Sequence, residues 1–179
     1  MTRNDIITLP NPLLRTKSKR ITFIDEDIHR LAQNMIDATL DWEASRDHES
    51  GAALAAVQVA KAVRLVVVRH DFENKEDKSF DVLINPEIVK SEGQPTEWLE
   101  GCLSVGDIYG HVMRYPKVKV KALNLDGKAI RITATDFLAE VLQHEIDHTN
   151  GIVFVDRISD PTKLFHLEED GKLVPIKPS

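Results

Sequence analysis

The stretch TDFLAEVLQHEIDHTNG (135–151) sets the architecture to expect. Its apolar residues recur at helical spacing from Thr135 to His148, and Asn150-Gly151 supplies a helix stop. Phe137, Leu138, Val141, Leu142 and Ile146 face nearly every direction, which predicts a mostly buried helix. His144 and His148 stand at i and i+4, on one face, where both can point at one ion. Glu145 lies about 100° around from His144, so it flanks that ion without having to bind it. Metal-assisted hydrolysis requires this set: imidazoles to hold the ion and a free carboxylate to handle a proton. Surface placement is the plain alternative, but two histidines and a glutamate on a mostly buried helix are costly without a partner.

Two protein ligands leave a catalytic site incomplete, since three plus an open position is usual. A protease of the H-E-x-x-H-x-x-G-x-x-H type would place a third histidine where this chain has Phe154, which cannot bind metal. A downstream glutamate is a second candidate; Glu168 and Glu169 are in range, within a stretch, HLEEDG, that reads as a turn. Cys102 is the third, because a thiolate is a strong ligand for this class of ion. Against it stands the general tendency of a lone cysteine to be a small buried apolar side chain.

Outward from that helix, the chain reads as strands in the middle with one more helix early. Ile28, Leu31, Met35, Ile36 and Leu40 keep helical spacing behind Asp25 and fade in the polar stretch 45–50. LPNPLLRTKSKR (9–20) reads as an extended, turn-rich arm. RLVVVR (64–69) is β-branched and apolar, a buried strand. FENKEDKS (72–79) reads as a solvated loop, and DVLI (81–84) as a strand closed by Asn85-Pro86. KVKVKALNL (117–125) alternates strictly, and Asp126-Gly127 turns it back into KAIRI. LEEDGKLVPI forms a final short hairpin. This is an α+β domain spanning residues 1–179.

The bulk properties narrow the function. A chain of 179 residues, 42% hydrophobic and 29% charged, is long enough to bury a core. A net charge of −6 argues against nucleic acid, and DNA in particular, as the main partner. No stretch approaches a membrane span, and the N-terminus lacks a signal peptide's apolar core, so a cytoplasmic location is expected. One cysteine rules out an intrachain disulfide.

Two further stretches carry chemistry. In WLEGCLSVG (98–106), a metal-bound Cys102 would bring the Leu103 N–H close enough to donate to a developing oxyanion. In GAALAAVQ (51–58), small residues permit close backbone approach, and Gln58 offers an amide donor that does not titrate. Tight packing with a surface Gln58 is the competing reading.

Together GAALAAVQ (51–58), EGCLS (100–104) and QHEIDH (143–148) resemble the three ordered signatures of the peptide deformylases. INPEI (84–88) and GIVFVDRIS (151–159) are similar too, so the likeness covers nearly the whole chain. The resemblance implies antiparallel or mixed sheets packed around a central metal-binding helix. It implies metal ligands Cys102, His144 and His148, with Glu145 as general base and acid. It implies Gln58 and the Leu103 N–H as oxyanion donors, and Gly51 and Ala53 along the substrate edge. Glu100 and Arg114 would form an ion pair supporting the cysteine loop. The implied metal is Fe(II), which Zn(II), Ni(II) or Co(II) can replace, and the implied substrate is the N-formyl-methionyl end of nascent polypeptides, with formate as product. Phe137, Leu138 and Val141 are candidates for the methionine slot. Transient ribosome contact belongs to the same picture, although this tail lacks a basic C-terminal helix. Two departures stand out: Ala53 replaces a glycine, harmless if its φ is negative, and Gly106 stands where proline is frequent. The competing functions are a peptidase using Glu168 or Glu169, and a degenerate homologue that binds formylated peptides without turnover.

Overall fold

Helix α1 (Glu26–Ala44) begins where Asp25 caps it, its side chain accepting from the Ile28 N–H at 3.1 Å. Ala32, Met35, Ala38, Thr39 and Trp42 form its buried stripe; of the apolar set read from spacing only Met35 belongs to it, while Ile28, Leu31 and Ile36 pack half-buried against the same core and Leu40 is half-buried. A computed structural model describes residues 1–46, 49–74 and 76–177. Parts of the polar stretch 45–50 and of the loop 72–79 lie outside the described residues.

The stripe of α1 packs on one face of a five-stranded antiparallel sheet. Its order is β1 (Ala53–Ala55), β2 (Leu65–Arg69), β3 (Phe80–Glu92), β6 (Lys117–Leu123) and β7 (Ala129–Thr135). Leu65, Val67 and Ile84 face α1, while Val66, Val68 and Leu83 face the second helix, α2 (Asp136–Thr149). Helices on both faces explain why all five residues of β2 are buried and why RLVVVR shows no alternation. Burying each such side chain contributes roughly 1.5–3 kcal/mol before entropy is counted. Strands β6 and β7 pair around Asp126-Gly127 as the alternation predicts.

A second antiparallel sheet, β4 (Thr96–Cys102), β5 (Gly106–Arg114), β8 (Leu164–Leu167) and β9 (Leu173–Pro175), lies on the other side of α2. Every residue of α2 from Ala139 to Thr149 is buried, which makes it the central helix of an α+β fold. The ladders are antiparallel throughout, rather than mixed; the parallel pairing that is present is an isolated bridge, Lys19 to Val63.

One boundary requires correction. The strand at 81–84 does not close at Asn85-Pro86 but continues to Glu92. Asn85 adopts φ 54°, a bulge follows, and its amide clamps the Ile21 backbone through bonds of 2.9 Å and 2.8 Å. The bulge absorbs the proline, so the ladder resumes. Strands β4 and β5 went unread in the sequence, because β4 buries Glu100 and exposes Leu99.

Candidate active site

Strand β4 and helix α2 meet at their chemically loaded ends. Cys102, the last residue of β4, places Sγ 3.2 Å from His148 Nε2, which lies 3.2 Å from His144 Nε2. The three ligand atoms fall within 4.8 Å of one another, and all three residues are buried. The 3.2 Å spacings approximate those between neighbouring ligands of an ion held at about 2.0–2.3 Å. The donor set therefore fits a transition metal. Glu168 and Glu169 are exposed in the β8–β9 turn and take no part.

The far nitrogen of His144 is fixed: Nδ1 bonds Glu100 Oε2 at 2.8 Å. Glu100 also receives Arg114 Nε at 2.6 Å and a second guanidinium nitrogen at 3.0 Å, and Arg114 reaches Asp147 at 2.6 Å. Arg157 closes the chain on Asp147. Burial would raise the Glu100 carboxyl, but its hydrogen bonds to His144 and Arg114 prevail and bring its pKa to about 2. It is thus a fixed anion orienting one imidazole and joining α2 to β5. The Nδ1 of His148 has no partner among the described residues.

Glu145 is buried, and its Oε2 also lacks a partner among the described residues. Burial, with help from the Glu100 charge, raises its pKa to about 7. A carboxyl poised there can both take and return a proton near neutrality. Gln58 lies in a 3₁₀ turn after β1. Its Oε1 accepts from the Ala55 N–H at 2.8 Å, while Nε2 sits 3.1 Å from Ser104 Oγ and 3.5 Å from Cys102 Sγ. The Ala55 bond fixes which end of the amide points at the cysteine.

These groups open on a cavity of about 320 Å³ whose wall includes Ala53, Gln58, Leu103, Glu145, Phe137 and Val141. Leu138 packs in the core instead. Ala53 is an ordinary strand residue, absent from the positive-φ positions, so its methyl is unstrained. Gly51 does not reach the cavity wall. It is pinned to α1, its N–H donating to Glu43 at 2.9 Å, and an added Cβ would stand 2.6 Å from Thr39. Gly106 has φ +71°, which a proline could not adopt; it ends the bulged loop after Cys102.

Three contributors were not assigned from sequence. Ser104 was visible inside EGCLS yet given no role. Glu140 lies one turn before His144 on the same stripe, a spacing that could have found it; its carboxyl lines the cavity, and burial and the Glu100 charge raise its pKa to about 8. Arg157 carries no local signal.

A family model described as polypeptide deformylase matches residues 3–164. The chain belongs to the polypeptide deformylase family. The peptide deformylase of Thermomicrobium roseum is 42% identical over 168 residues, covering 92% of this chain and 91% of its own. Peptide deformylase 2 of Vibrio cholerae is 42% identical over 155 residues, covering 87% of this chain and 86% of its own. Among solved structures, the Legionella pneumophila deformylase superposes with TM-score 0.76 at 43% identity, covering 86% of this chain and 85% of that one. That of Synechococcus elongatus, in complex with actinonin, gives TM-score 0.79 at 33% identity, covering 87% and 80%. This deformylase-family chain is therefore an enzyme, with candidate metal ligands at the centre of its fold. Among the described residues, no helix is long and apolar enough to cross a membrane.

Proposed function

We propose that this enzyme removes the N-formyl group from the N-terminal methionine of newly made polypeptides, releasing formate and a free amine. The convergence of Cys102 Sγ with the nitrogens of His144 and His148, beside Glu145, whose Oε2 has no partner among the described residues, carries the reading. Cys102, His144 and His148 would hold Fe(II), with Zn(II), Ni(II) or Co(II) as substitutes. When bound, the ion supplies acidity to a coordinated water and polarisation to the formyl carbonyl.

The remaining work falls to the chain. Glu145 accepts a proton from the attacking water and returns it to the leaving amine. The amide of Gln58 and the N–H of Leu103 donate to the oxygen that gains charge on the formyl carbon. Phe137 and Val141 offer apolar wall to the methionine side chain. Glu100 and Arg114 act through His144 and the cysteine loop rather than on substrate. Residues 1–179 serve as one catalytic domain, acting in the cytoplasm on nascent chains. Transient contact with the ribosome belongs to the same reading.

The test is formate release from formyl-methionyl peptides by anaerobically purified, iron-loaded protein; absence of turnover with iron bound would overturn the proposal. Cys102→Ser separates it from a peptidase using Glu168 or Glu169. The deformylase reading expects loss of tightly bound metal, and unchanged metal content refutes it. A non-catalytic formyl-peptide binder is disfavoured by the intact Glu145 and by the unstrained Ala53.

A further inference from the structure

Helix α2 carries a cavity-facing group that the proposed reaction does not use. Phe137, Glu140, Val141, His144 and Glu145 follow one another at i, i+3, i+4, i+7 and i+8, a single helical stripe that lines the catalytic cavity. Glu140 thus stands one turn, about 6 Å, along the axis from His144. It is 6% exposed, and its neighbour on the stripe, Val141, is apolar and 5% exposed. A buried carboxyl in such surroundings is costly unless hydrogen bonds reach it. Glu140 makes no hydrogen bond or ion pair among the described residues. Unlike Glu145 Oε2, its oxygens keep accessible surface, so a ligand in the cavity can touch them.

The groups around it offer no donor. A Glu140 oxygen, a Glu100 oxygen and a ring nitrogen of His144 fall within 4.8 Å of one another. They do not make a second ion site, because Glu100 already accepts from Arg114 and bonds His144 Nδ1 at 2.8 Å. The other His144 nitrogen, Nε2, faces His148 in the ligand cluster. What remains is the substrate. The side chain of its first residue leaves the Cα next to the scissile nitrogen. With Phe137 and Val141 as apolar wall, that side chain passes Glu140, which lies between Phe137 and His144 on the stripe. Methionine meets the carboxyl with a thioether and a methyl group, neither of them a donor. Glutamine has the same length, with an amide N–H in place of that methyl. A carboxyl oxygen accepts from it whether or not the acid is protonated.

From this arrangement we infer that Glu140 sets the side-chain preference of the slot, which admits, besides methionine, formylated N-termini whose first residue has a straight side chain ending in a hydrogen-bond donor, glutamine above all. This specificity rests on the formyl-peptide reading of the cavity and extends its substrate class.

The test compares formyl-Gln-Ala-Ser with formyl-norleucyl-Ala-Ser on the iron-loaded enzyme, formate release giving kcat/KM. Norleucine matches the length of both side chains and has no polar atom. In the native enzyme the glutamine peptide should lie within about tenfold of the norleucine peptide. A slot without Glu140 buries the amide unpaired and rejects it by about 10²-fold. Glu140→Leu should therefore lower the glutamine-to-norleucine ratio about tenfold or more, while Glu140→Gln, which keeps an acceptor, should hold it near the native value. Calorimetric binding of the freshly dissolved products, Gln-Ala-Ser and norleucyl-Ala-Ser, reads the same ratio without turnover. If neither formyl peptide nor formyl-Met-Ala-Ser is hydrolysed, the deformylase reading fails, and the product affinities alone decide the role of Glu140. Glu140→Leu removes a buried unpaired carboxyl, so its melting temperature should be unchanged or raised and its metal content unchanged. A ratio that Glu140→Leu leaves as in the native enzyme, or a loss of bound metal in that variant, overturns the inference.

Discussion

At the residue scale, function rests on how few groups are left unsatisfied in a buried site. Glu145 is one of them, held to a pKa of about 7 by burial and by the Glu100 charge. Glu145→Ala should retain metal and lose about 10²- to 10⁴-fold in kcat, measured by formate release with metal content checked in parallel. Full activity in that variant refutes the acid–base role. Arg114 is its structural counterpart, a guanidinium whose side chain is 2% exposed, serving Glu100 and Asp147 together. Truncation to Ala strips the nearest cation from the buried Glu100 and leaves Asp147 to Arg157 alone. A loss of roughly 3–5 kcal/mol is expected in a denaturant titration of the metal-loaded enzyme. A loss under 1 kcal/mol would mean the triad is hydrated and redundant.

At the element scale, α2 depends on how it ends. Asn150 closes the helix and Gly151 follows at φ +77°, with the Arg15 carbonyl oxygen 2.6 Å from where a Cβ would sit. That oxygen belongs to backbone, so it cannot swing aside. Gly151→Ala should destabilise by about 1–3 kcal/mol from the strained backbone, with the clash adding to it. Equilibrium unfolding reads the loss, and a neutral result would show that the arm near Arg15 yields freely. Much of α2 was legible before any coordinates: its limits, its stop and its paired histidines all follow from spacing. The β4–β5 pair was not. Hydrophobic periodicity finds strands that bury apolar residues, and β4 does the reverse, turning Glu100 inward and leaving Leu99 43% exposed. A strand built to carry a charged network gives a misleading pattern by construction.

At the scale of the whole molecule, charge pairs tie the elements together and set the response to acid. Glu43 on α1 meets Lys78, the Gly51 N–H and Arg69. Burial alone would raise its carboxyl, but those partners prevail and hold it below the ordinary 4.5. The unfolded chain therefore binds more protons in that window. The stabilisation is complete above pH 4.5 and is lost as pH falls through the lower folded value. Glu43→Gln should flatten the decline of melting temperature between about pH 5 and 3, while leaving the curve near neutrality less stable throughout. An unchanged acid limb would show that Glu43 is solvated in the folded state. Metal removal acts at the same scale, because the three proposed ligands, Cys102, His144 and His148, bridge β4 and α2. Chelation should lower the melting temperature by several degrees, restored on reloading; an identical melt with and without metal would sink the proposed ligand set.

By itself, the sequence determined the local chemistry and the local periods. Helix spacing, β-branched runs, turn dipeptides and three short signatures are properties of neighbours along a chain, so α1, β2, the β6–β7 hairpin, α2 and the metal-ligand candidates were readable there. Tertiary structure alone decided what long-range packing controls. Asn85 keeps β3 running past a proline because its amide meets Ile21, 64 residues away. Gly51 turns toward α1 and away from the cavity because Thr39 and Glu43 stand beside it. Arg157 joins the Arg114–Asp147 pair across ten residues, and Arg64 meets Asn150 across 86. Such pairings are chosen by the folded chain's geometry, in which a buried charge or amide takes whatever partner the packing brings within reach.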